Sequence, residues 1–279
     1  MVITVAPCIS LPQSQPRAIG KVRVDAHARD GRSHIAQLMQ RGSLKLLFPN
    51  RAEKALTAVL LNTAGGVTGG DRFHTTATAL AQSELTLTTQ AAERGYRAQP
   101  DETGKIMTEL AAHSGARIEW LPQETILYDG ASIDRRLRLR LPGNARGLIV
   151  EPVIFGRTAM GETVNHLHFR DRIDIERDGK LILSDRTRIT GDAARTLSRR
   201  ATGAGSAAMA TLIYVGDDAD LRLERARKDM PPNIGASQPH PGVVCARVLA
   251  QDGFALRKSL IPLISSFRDT PDLPRTWMI

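Results

Sequence analysis

The sequence predicts a mainly β protein, with many short strands between about residues 20 and 189 and two α-helices in the last third. Three observations carry this. Apolar and polar residues alternate with period two along several segments, the pattern of a strand with one face in a core. Turn signals separate these segments, the clearest being Asp178-Gly179. Apolar residues at helical spacing appear only after Asp218. A sandwich, a barrel and a solenoid all fit this pattern, and no repeat of fixed period singles out the solenoid.

Residues 1–20, rich in Pro, Gln and Ser, read as a flexible tail, and no break in composition divides residues 21–279, which form a single domain. Leu60-Leu61 ends an apolar run that opens into Asn62-Thr63-Ala64-Gly65-Gly66-Val67-Thr68-Gly69-Gly70-Asp71. Each glycine in a regular element costs roughly 0.5–1 kcal/mol relative to alanine, so the stretch reads as a tight loop leaving a buried strand. Glu84 to Thr89 alternates next. Arg117 to Trp120 and Thr125 to Tyr128 follow, leading into the turn Asp129-Gly130. Ile133, Arg135, Leu137, Leu139 and Leu141 then share one strand face, and Asp134, Arg136, Arg138 and Arg140 the other. Ile173–Arg177 and Lys180–Leu183 flank Asp178-Gly179 as a hairpin with a type I′ turn. From Asp218 to Met230, Ala219, Leu223, Ala226 and Met230 line one helical stripe. A loop from Met230 to Gly242 and a strand from Val243 to Leu249 come next. Asp252 caps a second helix, to Arg268, with Leu256, Leu260, Leu263, Ile264 and Phe267 on its apolar face and a kink at Pro262.

The charge narrows the partners. The net charge is +9, with 31 Arg against 7 Lys. The arginines are dispersed and aromatic residues make up only 4%, whereas nucleic-acid binders concentrate charge and interleave aromatics for stacking. An acidic protein partner fits at least as well. No apolar run approaches the roughly 18–20 residues that span a bilayer. Met1 to Leu11 lacks a basic region and is followed by Pro12, with Pro7 inside it, which makes a poor signal peptide. Cys8 and Cys245 lie far apart, so a structural disulfide is not expected and a cytoplasmic location is.

The glycine loops invite a nucleotide reading, which their context opposes. A Walker loop needs Lys and Ser/Thr after its last glycine, but Gly70 is followed by Asp71 and Arg72. Gly203-Ala204-Gly205-Ser206-Ala207-Ala208 fits G-x-G-x-x-A, with Glu224 near the ribose-binding spacing. Polar Thr196–Arg200 precedes it and the apolar run Ala210–Val215 follows, the reverse of strand, loop, helix. A basic segment that orders on a partner, or a plain surface loop, accounts for it. No G-x-S-x-G elbow and no paired acid and base suggest catalysis. A nucleotide-dependent enzyme built on Gly65–Gly70 or Gly203–Gly205 is the alternative function, and it predicts that the isolated chain binds ATP, GTP or NAD.

His166 and His168, two apart in a strand, point to one side, a usable spacing for a transition metal. Arg170 and Arg172 continue that face and would oppose a dication, so a half-exposed polar face explains the pair as well. Asp71, Glu151 and Glu162 are carboxylates near Gly or Pro that could line an interior passage. Asp71, taken alone, is accounted for by hydrogen bonds to its own loop.

The stretch from Asn62 to Asp71, with Gly65, Gly66, Gly69 and Gly70, resembles the signature of the UreD (UreH) family of urease accessory proteins. Four further stretches are similar in order: Thr88–Glu93 with Tyr96-Arg97, Trp120–Ile126 with Asp129-Gly130-Ala131, Gly156–Glu162, and Leu273-Pro274-Arg275-Thr276-Trp277. The resemblance covers roughly residues 20–279, and several unrelated motifs in register are far more specific than one glycine loop. It implies a β-helix-like body carrying two α-helices. It also implies a non-enzymatic scaffold that bridges the urease apoprotein to a helical protein, UreF, and through it to the GTPase UreG. Nickel would be cargo in transit and not a cofactor of this chain, with Asp71, Glu151 and Glu162 as passage lining and His166 and His168 as weaker candidates. The helix Asp252 to Arg268 is a candidate partner surface.

Overall fold

The computed structural model describes residues 15–49, 53–157, 160–270 and 272–278. The expected tail lies mostly outside these residues, and the first strand already begins at Ile19. The chain winds as a solenoid between two sheets. In the coils, β5 (Arg72–Ala79), β8 (Gly104–Ala112) and β11 (Ser132–Leu141) each cross a tight corner into β6 (Glu84–Thr89), β9 (Arg117–Leu121) and β12 (Arg146–Phe155). Successive coils pair in parallel on both faces, which places residues of equal coil position side by side. The corners stack as well: Arg117 N donates to Ser83 O at 2.9 Å, and Arg146 N to Ala116 O at 3.0 Å.

One sheet is completed by the hairpin of β1 (Ile19–Arg29) and β2 (Arg32–Gly42) and, at the far end, by that of β13 (Leu167–Arg177) and β14 (Lys180–Gly191). Its seven strands run in the order β14-β13-β11-β8-β5-β1-β2. The hairpin expected at Asp178-Gly179 is present, and both residues have the positive φ that a type I′ turn requires (51° and 74°). The other sheet starts with β3 (Leu44–Leu47) and β4 (Leu56–Asn62) and takes in two short strands, β7 (Glu93–Gly95) and β10 (Thr125–Leu127). It continues beyond β12 with antiparallel β15 (Ala208–Val215), β17 (Val243–Ala250) and β16 (Ile234–His240). The architecture is thus the mainly β solenoid that the resemblance implies.

Two apolar clusters follow from this arrangement. Leu85, Ile118, Leu137, Ile149 and Phe169 fill the space between the sheets. On the back of the second sheet, Leu148, Val150, Leu212 and Val244 meet the helices α2 (Ala219–Lys228) and α3 (Gly253–Ser266). Both expected helices are present, and Pro262 lies inside α3. Asp192 caps an additional six-residue helix, α1 (Ala193–Ser198), by accepting from Arg195 N at 2.7 Å; it is too short to show a periodic stripe. The expected loop Met230–Gly242 is replaced in part by β16. The Pro241-Gly242 turn folds this segment back onto β17, and Pro239 is tolerated because β16 is an edge strand.

The Asn62–Asp71 loop sits where β4 turns toward β5. Val67 N donates to Arg94 O at 2.7 Å and Tyr96 N to Val67 O at 2.8 Å, which locks the loop onto the next coil. A Cβ on Gly66 would lie 2.3 Å from the Tyr96 ring and 2.6 Å from Arg94 O. Gly65 has φ +78° and open space around it. Gly66→Ala is therefore expected to cost about 1–3 kcal/mol through steric displacement, and Gly65→Ala about 1 kcal/mol through backbone strain alone. Urea midpoints of the two variants read the difference, and equal midpoints would refute the packing role of Gly66.

Candidate functional site

The motifs that stand apart in the sequence form one corner of the solenoid. Val67, Gly95 and Leu127 stack across successive coils, and Leu127 pairs with Phe155 of the next. One position further on, Tyr96 and Tyr128 meet edge to face with ring centroids 5.2 Å apart, and the Arg157 guanidinium lies 4.4 Å from the Tyr128 centroid. Arg97 then pairs with Asp129 at 2.5 Å. Glu162 is held at the same corner. Its carboxylate accepts from Arg157 Nε at 2.8 Å, Arg157 N at 2.9 Å and Asp129 N at 3.2 Å. The Arg157 bonds hold the Glu162 carboxyl below the usual carboxylate range.

Asp71 is buried and already satisfied. It accepts from Ala18 N at 2.7 Å and Thr68 N at 2.9 Å, tying the glycine loop to the first strand. This is the loop-capping arrangement, and an Asp71→Ala change would orphan two backbone donors. His166 is exposed and sits 3.5 Å from Asp129. It lines a shallow cavity of about 410 Å³ together with His168, Asp101 and Glu102. Burial, with Arg170 and Arg188 nearby, holds the His168 imidazole below its usual value. Among the described residues no three His, Cys, Asp or Glu side chains come together to hold a metal ion.

Glu151 is placed differently. It projects between the sheets, where Trp120 Nε1 donates to Oε1 at 2.8 Å and Arg135 Nη1 pairs with Oε2 at 2.6 Å. Arg135 also grips Asp171 with two bonds, of 3.0 and 2.6 Å, and donates to Thr125 Oγ1 at 3.1 Å. All three charged groups are at most 6% exposed. Thr125 is the register neighbour of Glu93, whose carboxylate accepts from Asn62 Nδ2 at 3.2 Å. The result is a line of polar groups running along the solenoid beside its apolar core: Asn62, Glu93, Thr125, Arg135, and the pair Glu151 and Asp171.

One guanidinium serves two buried carboxylates in this column. Burial disfavours the charged form of Glu151 and raises its carboxyl, in spite of Arg135. Burial also works against the Arg135 charge, but Asp171 and Glu151 outweigh it and hold the guanidinium protonated. Burial pushes Glu93 up to about 7, against the Asn62 bond that favours its ionised form. Such carboxyls can exchange a proton for a cation near neutral pH. Sequence reading places Glu151 among the interior candidates but does not single out Glu93, Arg135 or Asp171. The available signal was a charge in an apolar strand face: Arg135 alternates with Ile133 and Leu137, and Asp171 with Phe169 and Ile173.

The glycine segments lack the frame for a nucleotide. The Asn62–Asp71 loop leads into the strand β5, and Gly203–Gly205 follows a helix and precedes β15, so neither opens a helix whose N-terminus could hold phosphate. Leu256, Leu260, Leu263 and Ile264 of α3 are spent on the molecule's own sheet, and the opposite face of that helix, with Phe254 81% exposed, is open to a partner.

Two outcomes test the column. Arg135→Met leaves two carboxylates buried without their cation and should cost about 3–5 kcal/mol in urea unfolding, a loss that further Glu151→Leu and Asp171→Leu changes should largely restore. Between about pH 4.5 and 7 the folded chain keeps the Glu93 proton that the unfolded chain releases, so this group's contribution to stability falls as pH rises through that window. Glu93→Gln should flatten that fall and stabilise the protein at pH 8 by about 2–3 kcal/mol, with little effect at pH 4.5; parallel pH profiles would refute the assignment.

Residues 18–278 match the family described as UreD urease accessory protein. The chain is similar to the urease accessory protein UreD of Roseobacter denitrificans, 50% identical over 268 residues that cover 96% of this chain and 97% of the relative. It is also similar to those of Ruegeria pomeroyi (47%, covering 88% and 96%) and Rhizobium rhizogenes (41%, covering 99% of each). These relatives are named as accessory proteins and not as enzymes, which sets aside the nucleotide-dependent alternative. With its solenoid, its stacked glycine corner and its full-length match, the chain belongs to the UreD urease accessory protein family.

Proposed function

We propose that the protein is a non-catalytic scaffold in urease maturation, which binds the urease apoprotein on one side and the UreF–UreG pair on the other, in the cytoplasm. Nickel released by the GTPase partner passes toward the urease active site, and this chain contributes the route. The observation that carries the reading is the polar column from Asn62 to Asp171 that runs beside the solenoid's apolar core. A buried ion pair adds little net stability compared with a well-packed apolar core, so stability alone does not explain the column. Carboxylate oxygens bind nickel weakly, which suits passage more than storage. Glu93 and Glu151, both raised by burial, would give up a proton as the dication arrives and recover it as the ion leaves. Glu162 and Asp71 serve this scheme by shaping the corner. No helix among the described residues is long and apolar enough to cross a membrane.

The test replaces charge while keeping shape. Glu93→Gln and Glu151→Gln should each lower the nickel content and activity of urease matured in cells severalfold, and the double change should lower both further. Complex formation with UreF and urease should be unchanged, as read by co-purification. Urease that emerges fully loaded from cells carrying the double variant would remove the column from the nickel route.

A further inference from the structure

The outer face of the seven-stranded sheet carries a feature that the maturation reading leaves unused. In-register pairing lines up outward residues into rows across the strands. One row runs Arg188, Arg170, Asp134, Lys105, Arg72. The next runs Arg186, Arg172, Arg136, Met107, His74, Lys21, Arg41. These two rows hold nine arginines and lysines and a single carboxylate, Asp134. Strands about 4.8 Å apart make the stripe roughly 30 Å long.

Most of this charge is not neutralised within the chain. Arg172 pairs with Asp134 at 2.7 Å and Arg186 with Asp174 at 2.6 Å. Arg136, Arg170, Arg188, Arg72 and Lys105 are exposed, and none has an ion-pair partner among the described residues. The adjoining rows are different. There Arg138 and Arg140 pair with Glu176, and Arg23 with Asp25. On this face of the sheet, among the described residues, unpaired positive charge is therefore concentrated in the stripe, which lies at the start of the parallel strands, next to the corner that carries the glycine loop. Like charges this close repel one another, so the row arrangement is unfavourable for the isolated chain.

We propose that this stripe is a docking surface for a folded protein partner bearing a matching row of carboxylates. The proposal rests on the maturation reading for the identity of the partner and on the stripe alone for its chemistry. A nucleic acid fits less well. The two rows contain no Phe, Tyr or Trp on which bases could stack. Carboxylates at Asp174 and Glu109 border the stripe, with Glu176 one row further out, and would face a phosphate backbone. An acidic protein surface can match both the stripe and its border, and charge complementarity of this kind sets approach rate and orientation.

The experiment measures binding of the full chain, in separate runs, to purified urease apoprotein, to the helical accessory protein UreF and to a 24-base-pair DNA duplex, at low and physiological salt. The variants are Arg136→Glu with Arg170→Glu, the milder Arg136→Gln with Arg170→Gln, and a charge-matched control on α2, Arg225→Glu with Lys228→Glu. Circular dichroism confirms that each is folded. The wild type should bind at least one protein probe more weakly as salt rises. The Glu pair should lose on the order of tenfold or more in affinity, the Gln pair less, and the control little. Wild-type binding that the Glu pair leaves intact would overturn the stripe while sparing the scaffold role. Failure of the wild type to bind either protein would overturn both, and tighter binding to the duplex than to the proteins would reassign the stripe to nucleic acid.

Discussion

Parallel pairing from coil to coil governs this molecule. Each strand satisfies its backbone donors and acceptors on the coil before and the coil after, so a residue's neighbours are those at the same position one turn away. Any side chain type that recurs at one position is thereby drawn into a row. Inside, the rule aligns Glu93 with Thr125 and Val153, and it seats Arg135 beside Asp171 on the adjacent strand. Outside, it aligns the arginines. The interior column and the exterior stripe are two products of a single register.

The second constraint is closure of the back face. The strands β6, β9 and β12 are buried on both sides, and their outward positions include charged residues that need partners. Glu119 accepts from Thr86 Oγ1 at 2.8 Å and pairs with Arg268 at 2.9 Å. Arg117 pairs with Glu84 at 2.6 Å and with Asp269 at 3.1 Å, and Asp269 also binds Arg146 and Arg222. This network joins the end of α3 to the middle of the sheet. Burial in pairs leaves each charge compensated, and removing one member would strand the others.

Much of the strand content was legible in the sequence, because period-two alternation is a local signal: the faces of β11 and the β13–β14 hairpin stand as expected. The coil-to-coil pairing was not, since it joins residues that are distant in the chain. The strands β5, β8, β11 and β13 start at residues 72, 104, 132 and 167, so the interval varies and no fixed period betrays the solenoid. The architecture was reached through resemblance. The glycine loop and Glu151 were visible as local anomalies. Glu93 carried no such signal, because its burial depends on Asn62 and the next coil, while Arg135 and Asp171 were charges in apolar faces whose pairing could be seen only once β11 and β13 lay side by side. His166 and His168 looked like a pair in one dimension and, among the described residues, belong to no cluster of three metal-ligating side chains in three.

The chain's last residues are fastened to its middle. Trp277 Nε1 donates to Leu121 O at 2.9 Å, Gln123 Nε2 to Thr276 O at 2.8 Å, and Thr276 bonds Thr88 at 2.9 Å. Neighbouring coils pair as the solenoid winds, but this latch joins residues more than 150 positions apart, so it shuts only on a back face that is already laid down. Until then Thr88 and Leu121 stay wet, and a polypeptide lacking residues 273–278 would keep that side unsealed.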